Sequence, residues 1–250
     1  MYYMIIQSAS NITIQYTKKL LQKKYREQER KYLVEGEKLI REAIDHSLPI
    51  EYVVATEQMA NKLPLQSIRT ILASDNVVKS CCDTVAQQGA VAVVRIVDKP
   101  ICSPAGRCLV LDNLQDAGNV GTILRTAVAT DYKDVYLINC VDVYSGKVVR
   151  SASSAHYVLN LYQGDYDRVC RAINGCQLVC ASMDGENIFT TQVNDNHALI
   201  IGNEGQGVSA RLRDMCHKTI SLPMKNNLES LNAGVSAGII MYQLTIAKEV

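Results

Sequence analysis

No apolar run in this 250-residue chain approaches the ~20 residues needed to cross a bilayer. The first six residues are apolar but too short, and without a basic leader, to make a secretory signal. Charge of one sign is missing too: 26 Lys and Arg stand against 25 Asp and Glu, so a formal net charge of +1 sets up no global field for a polyanion. Metal-ligand spacing is absent. Cys81 and Cys82 are adjacent, Cys170, Cys176 and Cys180 lack paired C-x-x-C spacing, and His46, His156, His197 and His217 are dispersed, so no metal is expected. Nine cysteines without a signal read as buried thiols in a reducing cytosol, which predicts a cytoplasmic protein with no membrane partner. A doubly wound nucleotide enzyme would carry a phosphate loop after its first strand, and none is there.

What remains is ordinary for a folded chain, 48% hydrophobic and 20% charged, long enough for one large domain or two modest ones. Residues 16–28 space Tyr16, Leu20, Leu21 and Tyr25 helically and carry Lys18, Lys19, Lys23, Lys24 and Arg26, which predicts one amphipathic basic helix. Its cations form either a phosphate-contacting surface or a solvated helix face. Strands and helices then alternate as far as AVAVVRIV, the pattern of an α/β unit. DKPICSPAGR, with Pro100, Pro104 and Gly106 and no periodicity, predicts a linker, placing one domain over 1–100 and another over 101–250. Beyond it, near-continuous apolar strands such as CLVLD and HALII are separated by helices, which predicts a parallel sheet buried on both faces.

Three loops that follow strands carry unusual residues, and ligands of open α/β sheets bind at the carboxyl ends of strands. In DNLQDAGNVGTILRTA, Gly118, Asn119 and Gly121 turn into a helix bearing Arg125 among apolar neighbours. Buried, that arginine needs an anion: Asp112, Asp116 or a substrate phosphate. In GNEGQGVS, Gly202, Gly205 and Gly207 allow close backbone approach, but Glu204 would repel a pyrophosphate, so a ligand that is not an anion fits better than a phosphate. A turn that simply needs positive φ is the alternative. In the third, Pro223 ends a strand, and Asn226, Asn227, Ser230 and Asn232 offer neutral donors and acceptors beside Leu222, Met224 and Leu231. That suits an adenine edge or an amino-acid end, or is an asparagine-rich loop with a helix cap.

Together and in this order, the loops resemble the three signature motifs of the SpoU (TrmH) family of RNA ribose 2′-O-methyltransferases in the SPOUT superfamily. The matching residues are Asn119, Gly121, Arg125 and Ala127; Gly202, Asn203, Glu204, Gly205 and Gly207; and Pro223, Met224, Ser230, Leu231 and Asn232. GKVVRSASSAH is similar to the family's basic, serine-rich segment through Lys147 and Arg150, and Ala117 stands where the family often has proline. The first hundred residues resemble the L30e-like substrate-binding domain of two-domain members.

The resemblance implies an α/β chain with a trefoil-knotted parallel sheet and a smaller L30e-like N-terminal domain. It implies methylation of a ribose 2′-hydroxyl, in ribosomal RNA of the 23S type rather than transfer RNA, with a non-catalytic RNA-binding relative as the other possibility. S-adenosylmethionine is the implied cofactor, held by Gly202, Asn203, Gly205, Ile220, Leu222, Met224, Leu231 and Asn232. Arg125 is implied at the reacting hydroxyl with Asn119, Glu204, Ser230 and Asn232. The implied RNA contacts are Lys18, Lys19, Lys23, Lys24, Arg26, Lys147 and Arg150. It further implies a homodimer, which would give the small residues of the last helix a partner.

Overall fold

Asn11 opens helix α1 (Ile12–Lys19) by accepting the Thr13 and Ile14 amides, and a second helix, α2 (Lys23–Glu29), follows after a break. The basic segment is therefore two short helices, not the single one predicted. Leu20, Leu21 and Gln22 donate to carbonyls three residues back, and the Arg26 guanidinium turns inward to donate to the Leu20 and Leu21 carbonyls at 2.8 and 2.7 Å. Arg26 thus caps the break and is buried.

The computed structural model describes residues 5–84, 88–226 and 230–246, so Asn227 and Glu229 of the third loop and Ala247 at the end of the final apolar run lie outside it. After α2 come β1 (Lys31–Glu35), α3 (Glu37–Asp45), β2 (Ile50–Ala55), α4 (Glu57–Ala60), β3 (Thr70–Leu72), α5 (Asp75–Ser80) and β4 (Ala90–Arg95). The four strands form a sheet of order β1-β4-β2-β3. Its side chains alternate: Leu33, Val54, Val91 and Val93 enter one apolar cluster with Ile14 and Leu20, while Val34, Val53, Ala92 and Val94 enter another with Ile40.

Strand β5 (Cys108–Asp112), α6 (Ala117–Ala129) and β6 (Asp134–Ile138) come after the linker, then α7 (Gly146–Ser151), α8 (Ala155–Val158), β7 (Asn160–Gln163), α9 (Tyr166–Ile173), β8 (Gln177–Asn187), β9 (His197–Ile201), α10 (Ala210–Arg213), β10 (Lys218–Ser221) and α11 (Ala233–Leu244). These six strands form one sheet, all parallel, of order β10-β8-β9-β5-β6-β7, with β5, β6 and β9 buried along their whole length. The chain divides into one compact unit of Met1–Asp98 with Tyr144–Tyr157, and a second of Lys99–Val143 with Val158–Val250.

Two local features give the second unit its irregular edge and its closely packed last helix. Thr219 pairs with Cys180 but Ile220 pairs with Glu186, so residues 181–185 bulge out of β8. Gly185 permits it, because a Cβ there would stand 2.5 Å from the Ile220 backbone carbon. Gly234 of α11 is used within the chain: a Cβ there would meet Thr122 of α6 at 3.3 Å, whereas one on Gly238 would make only ordinary contact with Thr126 at 3.8 Å. Exposed on α11 instead are Val235, Ile239, Tyr242 and, just beyond its end, Ile246. All nine cysteines are free; Cys102 is exposed and only Cys81, Cys108, Cys176 and Cys180 are buried.

Candidate active site

The sheet order reverses between β5 and β9, and the loops leaving the carboxyl ends of β5, β9 and β10 meet there. Asp112, the last residue of β5, is fully buried and holds the first two together. Its carboxylate accepts the Ser209 amide at 2.8 Å, the Tyr166 hydroxyl at 2.8 Å and the Asn113 side-chain amide at 2.7 Å. Asp116 caps α6 by accepting the Asn119 amide at 2.7 Å. Ala117 therefore takes the first helical position, where an amide needs no intrahelical partner and either alanine or proline is accommodated.

The loop after β9 closes on itself. Asn203 and Gly207 exchange backbone hydrogen bonds at 3.0 and 2.8 Å, and Asn203 Oδ1 accepts from the Gly205 and Gln206 amides. Positive φ is needed at Gly207, where φ is 70°, and space at Gly202, where a Cβ would lie 2.2 Å from the Gly207 carbonyl carbon and the Val208 nitrogen.

A relay of side-chain amides joins all three loops. Asn232 caps α11: its Oδ1 accepts from Gly234 and Val235, which leaves its Nδ2 to donate to Asn119 Oδ1 at 2.7 Å. The Asn119 Nδ2 then donates to Glu204 Oε1 at 2.9 Å. The helix amides thus fix which way each asparagine faces, and the last step aims a donor at a carboxylate whose Oε2 stays available.

Beside the relay is a cavity of about 790 Å³ lined by glycine backbone and by the apolar side chains of Ile220, Leu222, Met224, Leu231 and Ile240. Every expected cofactor contact lines it: Gly202, Asn203, Gly205, Ile220, Leu222, Met224, Leu231 and Asn232, together with Glu204 and Ser230. Asn119 stands behind that wall, buried, and is joined to it through its hydrogen bonds with Glu204 and Asn232. The sequence reading missed the wall made by Ala181, Ser182 and Met183, which the β8 bulge supplies, and it missed Arg213. The signal was Gly185, a glycine inside a strand. Next to that wall the neighbouring Cys216 thiol holds Cys180 below its ordinary range, while Cys216 is itself raised.

Arg125 is placed differently from expectation. It lies six residues beyond Asn119, about 240° round the helix, and is exposed and outside the cavity lining. Neither Asp112 nor Asp116 pairs with it, and no described residue does. Of the expected RNA contacts, Lys19, Lys23, Lys24 and Lys147 are exposed and Lys18 half-buried. Two depart from expectation: Arg26 is buried in its capping role, and Arg150 pairs with Glu35 at 3.5 Å and Asp83 at 3.2 Å. Around the Tyr25 ring, Lys19 and Lys24 place their ammonium groups 5.7 and 5.9 Å from its centroid.

Residues 106–242 match the model of the SpoU rRNA Methylase family, and residues 11–92 that of the MRM3-like substrate binding domain. The 23S rRNA (guanosine(2553)-2′-O)-methyltransferase RlmP of Bacillus subtilis is 29% identical over 96% of this chain and 98% of its own. An uncharacterized tRNA/rRNA methyltransferase of Synechocystis is 30% identical over 95% of this chain and 92% of its own. Among solved structures, the SpoU methyltransferase AviRb of Streptomyces viridochromogenes in complex with AdoMet superposes with a TM-score of 0.86 at 25% identity, over 96% of this chain and 98% of that one.

Proposed function

The chain belongs to the SpoU rRNA methylase family, and on that premise we propose that it transfers a methyl group from S-adenosylmethionine to a ribose 2′-hydroxyl of ribosomal RNA of the 23S type. The observation that carries the proposal is the relay from Asn232 through Asn119 to Glu204, which ties three loops distant in sequence around one cavity. The cavity fits the cofactor in size, since small-molecule sites run from roughly 300 to 1,000 Å³, and in chemistry: apolar side chains for a ring, backbone at Gly202 and Gly205 for close approach, and Glu204 for positive charge. When bound, S-adenosylmethionine supplies a methyl carbon made electrophilic by its sulfonium.

The chain's own residues then have to bring the 2′-hydroxyl into line and stabilise the charge that develops on it, and much of the rate comes from that positioning. Glu204, oriented by Asn119, and Ser230 and Asn232 in the cavity lining hold the reacting groups. Arg125 acts on the developing alkoxide as a charge and not as a base, because a guanidinium keeps its protons in a protein, and the hydroxyl proton passes to a phosphate oxygen, water or another residue. Its place outside its own cavity supports a site completed by a second copy, with Arg125 of one chain serving the cavity of the other. Val235, Ile239 and Tyr242, at 49, 37 and 48% exposure, give α11 an apolar stripe at helical spacing, continued past its end by Ile246, that such a homodimer would cover. A trefoil knot in the unit holding the site, a cytoplasmic location, and a substrate-binding role for 1–100 with Lys19, Lys23 and Lys24 on RNA phosphates complete the proposal.

The test is methyl-labelled S-adenosylmethionine with purified 23S-type rRNA, followed by alkaline hydrolysis. Label in a single alkali-resistant dinucleotide is expected. Label on a base, or on transfer RNA alone, would overturn the reaction or the substrate respectively.

A further inference from the structure

Among the described residues that line the cavity, only two are ionisable, Glu204 and Arg213. Arg213 ends α10, a single turn whose position is fixed by the fully buried Leu212 and by the Arg213 amide donating to the Ser209 carbonyl at 2.9 Å. Its side chain spans from that turn to the β8 bulge. One terminal nitrogen lies 3.5 Å from Ser182 Oγ on the bulge, and 3.5 Å from where a Cβ on Gly207 would stand. The other lies 3.8 Å from Asp184 Oδ2, and that pair is exposed, with 42 and 72% of the two side chains accessible. These are long contacts for a guanidinium with five donors. Arg211, two residues earlier, pairs directly with Asp167 instead. Arg213 is thus a cation at the cavity wall, carried on an anchored turn, whose donors are mostly unfilled.

Resting on the cofactor reading above, we infer that Arg213 binds the carboxylate of the methionine end of S-adenosylmethionine. The amino-acid end of that molecule brings one anion into a cavity whose other charge, Glu204, would repel it. A carboxylate taken from water needs a charged, donor-rich partner. Arg213 meets that need from the cavity wall. Glu204 is then left for the positively charged part of the ligand.

The experiment is calorimetric titration of the full chain, without RNA, using S-adenosylmethionine and its decarboxylated form, which keeps the adenosine, sulfonium and amine. Arg213→Ala should weaken S-adenosylmethionine by about ten- to a hundredfold, the range for a charged hydrogen-bonding partner, and leave the decarboxylated form within about twofold. Arg213→Lys should recover part of the loss, and Arg213→Glu should deepen it. Equal weakening of both ligands would overturn the inference by making Arg213 a support of the wall. So would unchanged affinity for both with a raised KM for RNA, which would assign the guanidinium to a phosphate. A wild-type chain that binds neither ligand would instead remove the cofactor reading itself.

Discussion

Lys19 and Lys24 stand exposed around Tyr25 with Lys23 exposed next in the chain, while Gly202 occupies a place where one added atom meets backbone and the buried Asn119 one where both links of the relay pass. The first region is a distributed electrostatic surface in which each cation contributes a little and neighbours can stand in for it. The second is a joint in which three loops depend on the same few amides. Recognition of a large polyanion tolerates the first arrangement because binding sums over many phosphates. Holding a small ligand against one sugar oxygen demands the second, since misplacement by about an ångström is costly in rate.

The sharpest way to break the contrast lies inside the glycine loop. Gly202→Ala places a methyl 2.2 Å from the Gly207 and Val208 backbone, so the turn must open. Loss of cofactor binding and about 3 kcal/mol of stability are expected, read by titration and chemical denaturation. Gly205→Ala, whose nearest neighbour is Asn203 Oδ1 at 3.6 Å, should fold normally. If the two variants behave alike, steric demand does not govern this loop.

Next in size is the relay. Asn119→Asp replaces the donor that faces Glu204 with a second carboxylate, and kcat/KM should fall by about a hundredfold. Asn119→Ala, which removes both bonds without adding charge, should lose about tenfold. A larger loss in the alanine variant would show that Asn119 matters for loop stability more than for the orientation of Glu204.

Much of this joint was legible in sequence, because a turn that needs glycine or an asparagine cap must be written in residue type. Gly202, Gly207 and Asn232 are such positions. What was not legible depended on how separate segments meet. The β8 wall arises from a register shift against β10, which neither strand encodes alone. Arg125 has apolar neighbours in sequence, yet on a helix those neighbours face the core while it faces out. Gly234 of α11 has a close partner, and nothing in the sequence said that this partner was α6 of the same chain. The break between α1 and α2 is satisfied by Arg26, a residue whose charge invited a different reading.

That arginine gives a smaller effect and a way to separate the two regions within one segment. Arg26→Ala strands one buried and one partly buried carbonyl and should cost about 1–3 kcal/mol of stability, visible as a lower denaturation midpoint. The salt dependence of RNA binding should stay as it is. A reduced salt slope would return Arg26 to the phosphate-contacting set.

The smallest effect on the fold, and the most informative about the basic surface, is expected from Lys23→Glu combined with Lys24→Glu. Lys23 pairs with Glu27 at 3.6 Å, but both side chains are largely exposed, at 60 and 62%. Losing that pair should change stability by no more than about 0.5 kcal/mol. The KM for RNA should rise, and the slope of log affinity against log salt should fall by about one for each phosphate no longer neutralised, while S-adenosylmethionine binds as before. Because the described residues that line the cavity all fall within 181–240, a double reversal that weakened cofactor and RNA together would act through folding. The exposed cations would then belong to the same cooperative structure as the joint, and the division between a replaceable surface and an irreplaceable site would no longer describe this molecule.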